Sequence, residues 1–259
     1  MSDFPEGTPC WVDVTLPDPR LGKRFYGELF GWTFAEGAGE HGGFYSQAFS
    51  GGEPVGAMVS QLPWQEEPPA WTLYFATPDI KATAARVMDN GGSLLMEPLE
   101  IGRYGSLLLA RDPGDVPFAV WQGDRQHGFG RRGEPGAFRW AEIVTRDADA
   151  ADAFFPAVFP FETRRVPEPP GTDHVLWLVA GVPVAGRLRM PPETPDEAPP
   201  RIDIHFAVGD CDLAVATVRR LGGRLLGAPA DGPHGRSAAV ADPLGAAFVV
   251  ADRYPARTR

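Results

Sequence analysis

The strongest constraint on this chain is that it repeats itself. WVDVTLPD at Trp11 to Asp18 recurs in outline as WAEIVTRD at Trp140 to Asp147, an offset of 129 residues. Phe25 and Phe30 then match Phe154 and Phe159, and PVGAMV from Pro54 matches PVAGRL from Pro183. Further along, Gly91-Gly92 matches Gly222-Gly223, and DPGDVPFAVW from Asp112 matches DPLGAAFVVA from Asp242, with the offset drifting only from 129 to 131. Self-similarity held at a fixed spacing marks a duplicated structural unit.

Each half divides again. TLYFATPD, ending at Asp79, aligns with WVDVTLPD, and DIHFAVGD, ending at Asp210, aligns with WAEIVTRD. In all four modules an extended, β-branched and aromatic stretch runs into an aspartate. A helical stretch follows, such as PRLGKRFYGELF, where Leu21, Phe25 and Leu29 mark an apolar face at a spacing of four. Asp18, Asp79, Asp147 and Asp210 therefore read as helix caps, since an Asp carboxylate accepts from the first unpaired backbone N–H groups. After each helix come short extended runs set apart by Gly and Pro: FYSQAFSG and PVGAMVSQ around the hairpin signal GGEP, then SLLMEPL, YGSLLLA and PFAVWQ with RDPGDV as a turn. The module is strand, helix, three strands. Residues 124–136, polar and glycine-rich, read as a linker between a domain at 1–123 and a second at 137–259.

Composition narrows the partners. A net charge of -10 repels phosphate backbones and anionic lipid heads, which disfavours nucleic acid and membrane surfaces. No apolar run approaches the ~18 residues needed to span a bilayer, and the start, MSDFPEGTPC, has no basic segment followed by an apolar one. Two isolated cysteines, Cys10 and Cys211, make no disulfide framework and suit a reducing cytoplasm. GAGEHGG at Gly37 to Gly43 has no strand-to-helix setting for phosphate, and no flavin, nicotinamide or nucleotide fingerprint is present, so no cofactor is expected. A small-molecule ligand remains the expected partner, for a monomer or homodimer.

The βαβββ repeat, the signature FYGELFGW and a last strand introduced by DPxG resemble the vicinal oxygen chelate superfamily, which includes glyoxalases, bleomycin-resistance proteins and dioxygenases. GTPCWVDV with PDPRLGKRFYGELFGW is similar to two-domain actinobacterial glyoxalase-like proteins often labelled as hydroxylases. The resemblance covers nearly the whole chain. It implies an α+β fold of two tandem glyoxalase-like domains, each a pair of βαβββ modules forming a curled mixed sheet around a cavity. It also implies metal ligands on the first strand of each module and on later strands. Carried over by spacing from the capping aspartates, the first-strand positions are Trp11, Thr72, Trp140 and Asp203, and a last-strand position falls on Ala119 and Val249. The other late-strand position lies near Ala57 or Met58 and near Gly186 or Arg187. A divalent ion needs three or four N, O or S donors, and of these residues Asp203 is the one good donor, so no metal site is expected.

Alternation along a strand places Trp11, Asp13 and Thr15 on one face, with Thr72, Tyr74 and Ala76 on the equivalent face of the next module. The second half gives Trp140, Glu142 and Val144, then Asp203, His205 and Ala207. A carboxylate thus recurs, Asp13 and Glu142, set against Tyr74 in one half and His205 in the other. As acid/base groups these four would be catalytic, Glu142 acting with His205 in proton transfer. The alternative is that both carboxylates accept hydrogen bonds that lock the sheet. His174, the repeat equivalent of Tyr45, is a further candidate. Trp11, Trp140 and Trp177 offer stacking walls or plain core, and Arg187 an anion contact or an exposed edge; Asp203 and Thr72 complete the ligand-binding set.

Three functions compete: acid/base enzymology on an aromatic or polyketide-like secondary metabolite (isomerase, cyclase, lyase or hydroxylase-type); sequestration of such a compound, giving resistance; and glyoxalase activity. The last is disfavoured because it depends on metal polarisation.

Overall fold

The computed structural model describes residues 4–36, 44–166, 172–232 and 235–252; the Gly37–Gly43 segment, His41 and His234 lie outside them. The first module is β1 (Pro9–Leu16), α1 (Pro19–Phe30), β2 (Thr33–Glu36), β3 (Tyr45–Ser50) and β4 (Glu53–Ser60). The second is β5 (Ala70–Ala76), α2 (Ile80–Asp89), β6 (Ser93–Glu100), β7 (Gly105–Arg111) and β8 (Pro117–Gly123). The third is β9 (Phe138–Thr145), α3 (Ala148–Val158), β10 (Glu162–Val166), β11 (His174–Val179) and β12 (Val182–Arg189). The fourth is β13 (Arg201–Val208), α4 (Cys211–Arg220), β14 (Arg224–Leu225), β15 (Ala230–Gly232), β16 (Gly235–Ala241) and β17 (Ala247–Asp252). One mixed sheet runs β2-β3-β4-β1-β5-β8-β7-β6, and a second runs β10-β11-β12-β9-β13-β17-β16-β14, with β15 paired to β16.

The helix starts follow from side-chain chemistry. Asp18 accepts from Arg20 N and Leu21 N, Asp79 from Lys81 N and Ala82 N, Asp147 from Ala150 N, and Asp210 from Leu213 N. The buried face of α1 is rotated from the one the spacing predicts: Gly22, Phe25, Tyr26 and Phe30 are buried, while Leu21 and Leu29 are half-exposed. The reason is close approach at Gly22. A Cβ there would lie 2.4 Å from Leu16 Cδ1 and 2.8 Å from Met58 Cε, so glycine lets the helix settle with that side inward without moving the ends of those two side chains.

The sheets keep to the sequence halves; compact packing does not. One unit comprises Met1–Trp11, Thr72–Gly128 and Ala141–Asp203, and the other Val12–Trp71, Phe129–Trp140 and Ile204–Arg259. Strands β1 and β9 serve both. Thr8, just ahead of β1, accepts from Ala76 N in the first unit, while Asp13 to Leu16 run parallel to Ala57 to Ser60 of β4 in the second. Likewise Ala137 accepts from Ala207 N in the second unit, and Glu142 to Thr145 run parallel to Gly186 to Arg189 of β12 in the first.

Aromatic rings fill each unit's helix layer. In the first, Phe75 and Phe118 of the second module pack on Phe155 and Phe159 of the third, with ring centroids 5.0 to 6.3 Å apart. In the second, Tyr26, Phe30 and Trp32 of the first module pack on Phe206 and Phe248 of the fourth at 5.1 to 5.9 Å. Truncating one such buried ring costs about 3–5 kcal/mol, a large share of a domain's net stability.

The two units differ at one polar position. Tyr26 Oη donates to Asp242 Oδ2 at 2.9 Å, and Oδ1 of that carboxylate accepts from Leu244 N and Ala246 N. Burial raises the pKa of both groups. At the repeat equivalents stand Phe155, which has no hydroxyl, and Asp112, whose Oδ1 accepts from Val116 N while buried Oδ2 has no hydrogen-bond partner. Burial pushes the Asp112 carboxyl up to about 6. The stability its neutral form contributes is full below the ordinary carboxylate value of 3.8 and is lost as pH rises through 6. At pH 7 the charged carboxylate therefore costs on the order of 3 kcal/mol. Asp112→Asn is expected to raise the urea midpoint at pH 7 and to flatten its rise between pH 7 and pH 4.5; an unchanged midpoint at both pH values would refute the assignment.

Among the described residues no helix is long and apolar enough to cross a membrane.

Candidate functional site

Strand register in the first unit builds a polar cluster from four neighbours. Arg164 of β10 stands opposite Leu176 of β11, Leu176 opposite Gly186 of β12, and Gly186 opposite Glu142 of β9. Register partners share a face, so these four residues form one row across the sheet. The next row is Val166, His174, Leu188 and Val144. The alternate residues point the other way, to α3: Trp177 packs on Phe155 at 4.5 Å, and Arg187 binds Asp152. The two rows thus lie on the face that α3 leaves uncovered.

Glu142 and His174 meet across β12. Glu142 Oε1 lies 3.0 Å from His174 Nε2, with the side chains 14% and 23% exposed, partly withdrawn from water yet reachable from it. They stand on non-adjacent strands and in adjacent rows, so contact requires one of them to cross the strand between. Gly186 permits it. A Cβ at that position would lie 2.4 Å from Glu142 Oε1 and 2.7 Å from Oε2, so the carboxylate occupies the volume a side chain would need. Oε1 and Nε2 thus face each other at contact distance, on side chains that solvent still reaches. A carboxylate and an imidazole at this distance can pass a proton to or from a bound molecule.

The corresponding face of the first module, in the second unit, carries Asp13 beside Ala57, which stands opposite Gln47, and Thr15 beside Val59, which stands opposite Tyr45. Asp13 is 4% exposed, and Ala57 keeps a Cβ where the other module has none. Tyr74, in the first unit, is buried beside Ala119, and its backbone carbonyl accepts from Cys10 Sγ at 3.4 Å. His205, in the second unit, is half-buried beside Val249. Asp203 accepts from Arg201 Nε at 2.7 Å. Trp11 is buried, whereas Thr72 and Trp140 are half-buried.

Two further candidates sit on the helix side of their sheet. Trp177 is fully buried and stacks on Phe161 at 5.2 Å. Arg187 is fully buried too, its guanidinium held by Asp152 and by Asp173 at 3.0 Å. Sequence periodicity missed this because an arginine on a strand reads as exposed until its carboxylate partners, 35 and 14 residues away, are known. The Glu142–His174 contact was equally hidden. Its one sequence signal is that a glycine replaces Ala57 where a histidine replaces Tyr45.

Burial pushes the Cys211 thiol up to about 11, away from the thiolate form that attacks as a nucleophile. Among the described residues no three His, Cys, Asp or Glu side chains converge in a way that could hold a metal ion. Of the four positions that the resemblance gives to first-strand metal ligands, Trp11, Thr72 and Trp140 bring no strong donor and Asp203 accepts from Arg201, so these four residues do not fit a divalent ion.

Comparison with known proteins agrees with the fold. The pattern of the Glyoxalase/Bleomycin resistance protein/Dioxygenase superfamily matches residues 11–120. The anthracycline biosynthesis protein DnrV of Streptomyces peucetius is 34% identical over 275 aligned positions, covering 99% of this chain and 98% of the relative. The chain belongs to this superfamily. CFP32 of Mycobacterium bovis is 33% identical, with 98% of each chain covered. Among solved structures, the Mn(II)-bound glyoxalase from Novosphingobium aromaticivorans shares the fold at a TM-score of 0.66 and 14% identity, covering 97% of this chain and 83% of that one. The 2,3-dioxygenase LapB from Pseudomonas sp. KL28 does so at 0.65 and 13%, covering 96% and 95%.

Gly186→Ala is expected to displace the Glu142 carboxylate and shift the His174 ring resonances in NMR spectra, leaving Trp177 on the opposite face unmoved. Any activity that depends on the pair should fall about 100-fold, as for a misplacement of about 1 Å. Unmoved His174 resonances would show that residue 186 does not hold the two side chains together.

Proposed function

We propose that this superfamily member is an enzyme acting on a small, aromatic or polyketide-like molecule by proton transfer, with Glu142 as the general base. The observation that carries the reading is the Glu142–His174 contact at 3.0 Å over Gly186, on a sheet face that its own helix does not cover. A carboxylate there takes a proton from an acidic C–H or O–H, and the imidazole beside it relays or returns it. His174 thereby takes the role that the strand pattern gave to His205. His205, Asp13 and Tyr74 remain proposed acid/base groups of the other modules. Trp11, Trp140, Thr72 and Asp203 are proposed to line the ligand sites, while Trp177 and Arg187 support the strands from behind. The relative named for anthracycline biosynthesis supports a polycyclic aromatic substrate and a place in secondary metabolism, carried out in the cytoplasm by a monomer or homodimer.

The chemistry is proposed to run without a metal, because the donor set does not fit one. Sequestration is the alternative, and the same experiment separates the two. Native mass spectrometry of purified protein identifies a retained small molecule, and elemental analysis is expected to find only substoichiometric zinc, iron, manganese or nickel. Glu142→Gln is expected to retain that molecule while losing its conversion by about 100-fold or more. Ligand recovered unaltered after long incubation with the unsubstituted protein would assign sequestration and sink the enzymatic reading.

A further inference from the structure

Arginines crowd the strands behind the Glu142–His174 pair, and three of the four on β10 and β12 are committed. Arg165 binds Asp173 at 3.2 Å, Arg187 binds Asp152 and Asp173, and Arg189 binds Asp149 at 2.9 Å and Asp173 at 2.8 Å. Arg189, and after it Arg187, hold Asp173 below the usual carboxylate range. Arg164 is the exception. Among the described residues it has no carboxylate partner, although the chain carries 34 acidic residues against 24 basic ones.

Its position is informative. Arg164 shares the row of Leu176, Gly186 and Glu142, on the face that α3 leaves uncovered. The Glu142 carboxylate hangs over Gly186 of β12, two strands from β10, or roughly 10 Å. Leu176 alone stands between, half-buried and apolar. The row therefore presents a cation, an apolar platform and a base, in that order.

We propose that this row binds a small carboxylate-bearing aromatic molecule, with Arg164 taking the carboxylate, Leu176 the ring, and Glu142 facing the proton-bearing atom. The assignment rests on the reading of Glu142 as base and adds a substrate class to it. A guanidinium fits a carboxylate through two parallel N–H···O bonds. A phosphate dianion would meet stronger repulsion from Glu142 in an already acidic protein, so a singly charged group is favoured. One or two fused rings suffice to bridge the gap, because the arginine side chain folds back over part of it.

Isothermal titration of the full chain with 2-naphthoate and its neutral isostere 2-naphthamide tests the proposal. The naphthoate is expected to bind at least about tenfold more tightly. Arg164→Gln should abolish that preference, while Arg165→Gln, on the other face and paired to Asp173, should keep it. Glu142→Gln should also keep it, so a failed base would not be mistaken for a failed carboxylate site. Equal affinities for the two probes, no measurable binding of naphthoate, or a preference that survives Arg164→Gln would each overturn the proposal.

Discussion

A single βαβββ module cannot bury its own helix. Its strands give one apolar face, its helix another, and the rings between them need a second layer of comparable area to exclude water. In each compact unit that layer comes from the other sequence half, Phe118 packing on Phe155 in one unit and Phe30 on Phe206 in the other. The hydrophobic interior thus lies on the helix side of every sheet. The opposite faces mix polar residues with apolar ones, and Glu142, His174 and Arg164 can stand among Leu176, Leu188 and Val144 because stability has been secured behind them.

Much of the architecture was legible in the residues because it depends on local chemistry. Capping aspartates, a Gly-Gly hairpin at Gly51 and Gly52, both at positive φ, and alternating strands leave marks within a few positions of where they act. The exchange of partners between halves left no such mark. It follows from packing of rings over a hundred residues apart, and a register of offsets says which segments are alike, never which ones touch. The rotation of α1 was hidden for a similar reason: the clash that Gly22 avoids involves Leu16 and Met58, the second of them far along the chain.

The candidate site was half readable. Alternation put Glu142 on one face with Trp140 and Val144, because a period of two groups residues by side from sequence alone. It could not name the partner. Which histidine a carboxylate reaches depends on strand order, and the order β11-β12-β9 puts His174 within reach only if the middle strand offers no side chain. Arg187 shows the reverse case, a residue whose charge suggested ligand contact but whose partners on α3 and at Asp173 fix it in the interior.

The composition of the units also orders events during synthesis. The unit holding Phe75 and Phe155 has all of its segments once Asp203 has been translated, whereas the other also needs Phe248 of the fourth module. Until Phe206 and Phe248 follow, Tyr26, Phe30 and Trp32 have no such ceiling, although they were translated long before. A nascent chain must hold that sticky surface exposed while the second and third modules are still being added, so of the four modules the first waits longest for its partner.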